Sequence, residues 1–315
     1  MHKIQSASKP PQNIAFIANI SRLVDTETFT FMPGYELRRA TKSEIGILSE
    51  TLRSYFPRDE MINRDLWRYR LKERITESLP EKEWRYFVIG FSNSNSEIIE
   101  LQYASDIAPL ELEIIFTIIY PTASGRINVY IPDRLFQVLN PAPRNPSFFR
   151  TVTNADLEFI KDNYNRIKRH DDKLLNIRRI LEQFDSLKAI RKGSELRFLG
   201  YIAIIESLLT HNPEPGDPYA SITRQIKRKL ALLNNRWAPK IDYNTFEKST
   251  PESIWTAMYK YRSIIAHGGS PDFNNNELRL LKSADHARDL ARDTAKAITR
   301  QALIEPHFIK DLRDC

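Results

Sequence analysis

The chain is poor in cysteine: its one copy, Cys315, is the last residue. An intrachain disulfide is thereby excluded, and a reducing compartment is the expected setting. Long apolar runs are missing as well. The most apolar stretch, residues 114–120, is interrupted by Thr117 and falls far short of the roughly 20 residues a helix needs to cross a bilayer. The opening residues Met1-His2-Lys3-Ile4-Gln5-Ser6 lack the apolar centre of a signal peptide. These absences set the expectation of a soluble, cytoplasmic protein with no membrane partner. Glycine is scarce, nine in 315 residues, and no phosphate-binding glycine loop, nucleophile elbow or zinc-ligand spacing occurs. The motifs therefore call for no cofactor and no metal.

What is present fits two domains. A chain of 315 residues can bury two separate cores, and 41% hydrophobic with 28% charged residues excludes wholesale disorder. The net charge of +7 is unevenly spread. Residues 151–315 hold 28 Lys and Arg against 22 Asp and Glu, a balance of +6, which leaves +1 for residues 1–150. The second half is the one expected to meet an anionic partner.

A change of texture marks the division. Asn140-Pro141-Ala142-Pro143-Arg144-Asn145-Pro146 places three prolines in six positions, which predicts a linker over 141–150. Before it, Ile14-Ala15-Phe16-Ile17, Phe29-Thr30-Phe31-Met32, residues 84–89 and residues 127–131 read as strands rich in β-branched and aromatic residues. Residues 41–55 read as a helix with Ile45, Leu48, Leu52 and Tyr55 on one face, and Thr41 with Glu44 forms a capping box. Residues 92–96 read as a polar surface turn. Residues 1–140 are thus expected to form an α+β domain, and no catalytic constellation stands out in it.

After the linker, residues 151–315 take the period of helices. Leu157, Ile160, Tyr164 and Ile167 make one stripe; Leu174, Ile177, Leu181, Phe184 and Leu187 make the next. Thr153 with Asp156 is a predicted N-terminal cap. Residues 197–210 are apolar nearly all round and predict a central helix. A loop with Pro213, Pro215, Gly216 and Pro218 follows. The helix over 221–233 turns Ile222, Ile226, Leu230 and Leu233 inward and Arg224, Lys227 and Arg228 outward. Thr250, Pro251 and Glu252 open a further helix with Ile254, Met258 and Ile265 inward, which Gly268-Gly269 and Pro271 should stop. Residues 278–302 supply one last long helix. About five helices joined by modest loops predict an all-α bundle.

The chemistry is concentrated near the end of the glycine-stopped helix. Arg262 brings a permanent planar cation suited to phosphate, and His267 a ring that exchanges protons near neutral pH. Metal-free cleavage of RNA needs a base for the ribose 2′-OH, an acid for the leaving 5′ oxygen and cations for the phosphoryl oxygens. His267 suits either proton role, and one histidine cannot fill both in one cleavage, so a two-fold dimer is a mechanistic expectation. On a regular helix five residues turn through about 500°, which leaves Arg262 and His267 roughly 140° apart unless the glycines redirect the ring. Glu206, late in the apolar helix, is either a partner that orients Arg262 or an exposed residue beside a loop. Tyr259 and Tyr261 suit either base stacking or a helix core. Arg224, Lys227 and Arg228 suit either RNA guidance or a solvated basic face. His170-Asp171-Asp172 looks like a metal cluster, but neighbours on a helix diverge, and a charged surface is the expectation.

The segments Leu199-Gly200-Tyr201-Ile202-Ala203-Ile204-Ile205-Glu206-Ser207-Leu208-Leu209, Ser221-Ile222-Thr223-Arg224-Gln225-Ile226 and Tyr259-Lys260-Tyr261-Arg262-Ser263-Ile264-Ile265-Ala266-His267-Gly268 occur in that order. Together they resemble the ApeA-like branch of the HEPN superfamily over about residues 155–305, and the last segment is the most specific. Pro33-Gly34-Tyr35-Glu36-Leu37-Arg38-Arg39-Ala40-Thr41 is more loosely similar to the region that often precedes this domain. The resemblance implies a dimerising helical bundle and a metal-independent endoribonuclease that leaves 2′,3′-cyclic phosphate ends. It also implies a role in prokaryotic antiviral defence by abortive infection, or as a toxin, with a phage-derived trigger or regulatory ligand at the N-terminal domain. Arg262 and His267 carry over as the catalytic pair; beside that resemblance, Ser263, Glu206 and Tyr261 are the residues expected to support them. Ser263 departs from the family pattern, where active members often carry Asn, Asp or His; serine hydrogen-bonds phosphate but adds no charge. The competing expectation is a HEPN bundle without nuclease activity, an RNA-binding or dimerisation module.

Overall fold

A computed structural model describes residues 13–55, 67–70, 73, 75–78, 80, 86–92, 95–120, 128–130, 150–211, 221–237, 239–246 and 249–315. Residues 141–149 of the linker expected over 141–150, and the proline-bearing loop at 212–220, lie outside the described residues. The chain divides into two compact units. One comprises Met1–Ser105 and Leu110–Asp162; the other comprises Asp106–Pro109 and Asn163–Cys315. The α+β and helical halves stand as expected. Within the first unit, β10 (Arg150–Val152) runs parallel to β2 (Ile20–Leu23).

In the first unit, β1 (Asn13–Ile17), β3 (Thr28–Met32), β4 (Tyr35–Arg39), β7 (Phe87–Phe91), β8 (Ile114–Ile119) and β9 (Asn128–Tyr130) form one six-stranded sheet. The order is β3-β4-β7-β1-β8-β9, and every neighbouring pair is antiparallel. The four apolar runs found in the sequence all contribute to it. Every residue of β7 is buried, which explains why that strand reads as a continuous apolar run instead of alternating. A small hairpin, β5 (Trp67–Arg70) with β6 (Ile75–Ser78), was not visible in the apolar pattern.

Helix α1 (Lys42–Tyr55) lays Ile45 and Leu48 onto Ile14, Phe16, Val88 and Phe116 of the sheet. Its start is the capping box read from the sequence. Glu44 Oε2 accepts the Thr41 N–H at 2.7 Å, and Thr41 Oγ1 accepts the Glu44 N–H at 3.3 Å. Arg38 adds a two-pronged grip, donating to Glu44 Oε2 at 2.9 Å and Oε1 at 2.8 Å. Helix α2 (Asn95–Asp106) begins inside the stretch expected to be a polar turn, so Asn95 and Ser96 are helical.

The second unit has seven α-helices among the described residues: α3 (Asn154–Arg169, shared with the first unit), α4 (Ile177–Ala189), α5 (Glu195–Leu209), α6 (Ile222–Arg236), α7 (Pro251–Ala266), α8 (Ala284–Ile304) and α9 (Pro306–Asp314). Thr153 and Asp156 cap α3 as anticipated, with the Asp156 carboxylate accepting the Thr153 N–H at 3.0 Å. Helix α4 starts later than the stripe suggested, because Asn176 accepts the Arg179 N–H and fixes the N-terminus there; Leu174 stays in the preceding turn. The single long helix expected over 278–302 is broken. A 3-10 turn at Arg279–Leu281 ends with Lys282 at φ +61°, and Ser283 then caps α8 by accepting the His286 N–H.

Helix α5 is the centre of this unit. It packs against α4, α6, α7, α8 and α9, and buries Phe198, Tyr201, Ile202, Ile204, Ile205, Leu208 and Leu209. Gly200 lets α4 come close: a Cβ there would lie 2.2 Å from Leu187 Cδ2 and 3.0 Å from its Cγ. Cations from α4 and α8 satisfy the buried segment after α2. Lys188 pairs with Asp106, Lys296 donates to the Ala108 carbonyl at 2.9 Å, and Arg300 donates to the Ile107 carbonyl. Burial pulls the Arg300 guanidinium down to about 10. Among the described residues no helix is long and apolar enough to cross a membrane.

Burial opposes the Glu44 charge, yet the bonds from Arg38 and Thr41 hold its carboxyl below the usual range. The stability it contributes is therefore present above the ordinary carboxylate pKa and is lost as pH falls through the lowered one. Glu44→Gln should weaken hydrogen-exchange protection of α1 at pH 7 by about 1–2 kcal/mol, a gap that closes towards about pH 3. In the helical unit, Gly200→Val should cost about 1–3 kcal/mol in urea unfolding, with part of the loss restored by adding Leu187→Ala.

Candidate active site

Helix α7 positions the residues singled out in the sequence. Its start is well fixed: Thr250 Oγ1 accepts the Ser253 N–H at 3.2 Å, and Pro251 occupies the first turn. The inward face is Ile254, Trp255, Met258 and Tyr261, all buried, and the Trp255 indole N–H donates to Tyr243 Oη at 3.1 Å. Ile265, expected on that face, is only half-buried. The inward stripe fades because the helix ends one residue later.

The end is a Schellman closure built on the two glycines. The Gly268 N–H donates to the Ile265 carbonyl at 3.1 Å, and the Gly269 N–H to the Ile264 carbonyl at 2.8 Å. Gly268 sits at φ +73°, where a side chain is strained. At Gly269 a Cβ would meet Ile264 Cγ2 at 3.0 Å and its carbonyl oxygen at 3.1 Å. Both positions thus favour glycine, for different reasons. His267 is the cap residue, at φ −95° and ψ 12°, outside regular helical geometry. It is exposed, and its ring has no hydrogen-bond or ion-pair partner among the described residues.

Arg262 lies one turn earlier with its side chain 40% exposed. Its Nη2 is 3.7 Å from Glu206 Oε2, an ion pair too long for a hydrogen bond. The orienting role weighed for Glu206 therefore has a geometric basis, and that carboxylate is only 18% exposed. Glu206 Oε1 and Tyr259 Oη are both buried without a hydrogen-bond partner of good geometry among the described residues. Burial, then the Glu206 carboxylate, holds the Tyr259 hydroxyl far above its usual range, while Arg262 acts in the opposite sense. Tyr259 is thus a neighbour of the Arg262–Glu206 pair that sequence reasoning treated only as a stacking or core residue. Its spacing of three from Arg262 on one helix was the available signal.

The other sequence candidates separate. Tyr261 is a core residue and is not placed to stack on a base. Its ring lies 4.5 Å from that of Phe198 and 5.2 Å from that of Phe273, and its hydroxyl donates to Glu195 Oε1 at 3.5 Å. Burial and the Glu195 charge push that hydroxyl up to about 12. Ser263 is half-buried beside Arg262. On α6, Arg224 and Arg228 are exposed, but Lys227 is half-buried and donates to Thr256 Oγ1 at 3.2 Å. Thr256 is six residues before Arg262, about 9 Å along α7, so Lys227 is engaged away from the helix end.

His170, Asp171 and Asp172 follow α3 in a turn and are not on a helix, as the sequence reading assumed. The His170 ring donates through Nε2 to the Leu175 carbonyl at 2.8 Å, and Asp172 Oδ1 accepts the Arg178 N–H at 3.1 Å. No group of three His, Cys, Asp or Glu suited to a metal ion occurs among the described residues.

This helix end carries a partly exposed cation and an exposed proton-exchanging ring within six residues of each other, with Arg262 backed by Glu206. Gly268→Ala should lower the stability of the helical unit by about 1 kcal/mol in urea unfolding, because it strains the closure that sets the His267 backbone. No protein-family model matches the chain, and comparisons with curated proteins and with solved structures likewise give no match.

Proposed function

We propose that the helical unit is a metal-independent endoribonuclease of the HEPN type, acting as a homodimer on RNA in prokaryotic antiviral defence. One observation carries the proposal: Arg262, half-exposed and backed by Glu206, stands one turn before a helix cap that presents His267 to solvent. The resemblance of the Tyr259–Gly268 segment to that family supplies the reaction, and the basic balance of residues 151–315 favours an anionic substrate.

In this reaction a base removes the proton of the ribose 2′-OH, and the 2′ oxygen attacks phosphorus. The bond from phosphorus to the 5′ oxygen breaks, and an acid protonates the leaving oxygen. The products are a 2′,3′-cyclic phosphate end and a 5′-hydroxyl end. His267 takes one proton role, and His267 of a second copy takes the other. Arg262 stabilises the charge that builds on the phosphoryl oxygens. Ser263 donates a hydrogen bond to phosphate without adding charge. The α+β unit senses a trigger or restrains the nuclease.

A second reading, a HEPN bundle that binds RNA without cutting it, draws on the same ion pair. Glu206 offsets the Arg262 charge, and Ser263 adds none. The discriminating experiment incubates the full chain with total RNA in EDTA. Wild type should cleave and leave cyclic phosphate ends. His267→Ala should lose about 100-fold or more in rate, and Arg262→Ala a similar factor. RNA binding with no cleavage by wild type under any trigger would instead favour the non-catalytic module.

A further inference from the structure

A second basic site lies elsewhere in the helical unit and shares no residue with the Arg262–His267 cluster. The end of α3, the turn after it, and the junction of α8 with α9 enclose an open cavity of about 530 Å³. Its polar wall is Arg166, Arg169, Lys173 and His307, with Asp171 as its one carboxylate and His170 fixed by its bond to the Leu175 carbonyl. Arg166, Arg169 and Lys173 form no ion pair among the described residues. Asp171 accepts the Lys173 backbone N–H at 3.0 Å. Asp172 is engaged with Arg178, at 3.7 Å. Two guanidinium groups and one ammonium group thus face one carboxylate.

The bland account is that arginines in the last turn of α3 answer its dipole. That account covers Arg166 and Arg169 but not the rest. His307 stands in the first turn of α9, where the helix dipole disfavours a cation. Pro306 has no N–H to give, and Glu305 makes no side-chain cap. The first hydrogen bond of α9 comes from the Ile309 N–H, so the His307 and Phe308 N–H groups have no acceptor within the helix. The cavity thus lies between the basic end of α3 and the first residues of α9, Pro306 and His307.

The remaining wall is apolar: Leu174, Leu303 and Pro306. The volume is within the range of small-ligand sites. Arginine forks and free helix N–H groups suit phosphate oxygens, and an apolar wall suits the face of a base. We infer that this cavity binds a nucleoside phosphate, its phosphates held by Arg166, Arg169 and Lys173 at the start of α9 and its base against Leu174 and Leu303. The phosphate has two natural sources, a free nucleotide or the 5′-phosphorylated end of an RNA strand.

Calorimetric titration of the full chain tests this with ATP, adenosine, inorganic pyrophosphate, and a short single-stranded RNA with a 5′-phosphate or a 5′-hydroxyl. ATP or the 5′-phosphorylated RNA should bind at least about tenfold tighter than adenosine or the 5′-hydroxyl strand. Whichever of the two binds tighter identifies the source. Arg166→Ser and Arg169→Ser should each weaken that binding about tenfold while the protein stays folded with a thermal midpoint lowered by no more than about 4 °C, since both side chains are exposed and give up only a helix-end charge. The double variant Arg262→Ala with His267→Ala should bind as wild type does, whether or not the protein cleaves RNA. Phosphate ligands no tighter than their unphosphorylated counterparts would overturn the inference. So would affinity unchanged by the Arg166 and Arg169 substitutions, or binding abolished by the Arg262 and His267 substitutions.

Discussion

The helical unit depends on the enclosure of α5. A helix that is apolar on nearly every side has no stable position at a surface, so the other helices must surround it. They do so closely enough that Gly200 has no room for a side chain against Leu187, and only a narrow line including Leu196, Ala203 and Ser207 reaches solvent. The enclosure also determines the setting of Glu206. Its position near the end of α5 leaves the carboxylate partly buried, where an unpaired charge is costly. Arg262 on α7 lies within ion-pair range. Core packing thus supplies the partner that orients the cation of the candidate site.

The cation and the histidine are held by different kinds of force. Arg262 is positioned by electrostatics across two helices, beside the buried Tyr259 hydroxyl. His267 is positioned by backbone geometry, through a closure that needs one glycine for its positive φ and a second for close approach to Ile264. On the proposed reading, an incoming phosphate would compete with Glu206 for Arg262, whereas the His267 ring has no internal partner to displace among the described residues.

Much of this was legible in the chain. Thr41 with Glu44, Thr153 with Asp156, and Thr250 with Pro251 are local caps, and each forms as read because its partners lie within one turn. The four apolar runs of the first half became strands of one sheet. The misreadings have the opposite character. A continuous 3.6-residue period from 278 to 302 hid the break at Lys282–Ser283, because a single side-chain cap can interrupt a helix without disturbing its apolar pattern. The late start of α4 has the same cause in Asn176. His170-Asp171-Asp172 was placed on a helix although it forms the turn after α3. The fate of Tyr261 was open because helical spacing does not say which face a neighbouring helix will cover.

The sequence by itself determined the two-part character of the chain, the local starts and stops of its helices, and the glycine pair that frees His267 from helical geometry. These depend on contacts within a few residues, where chain connectivity does the work of bringing groups together. Tertiary structure decided which candidates share a site. It paired Glu206 with Arg262, withdrew Tyr261 into the core and engaged Lys227 with Thr256. It also gathered Arg166, Arg169, Lys173 and His307, separated by up to the length of the bundle in sequence, around one cavity. The physical reason is that burial and pairing energies depend on which faces of distant helices meet. That choice is made by the collapse of the whole core around α5, not by any one segment.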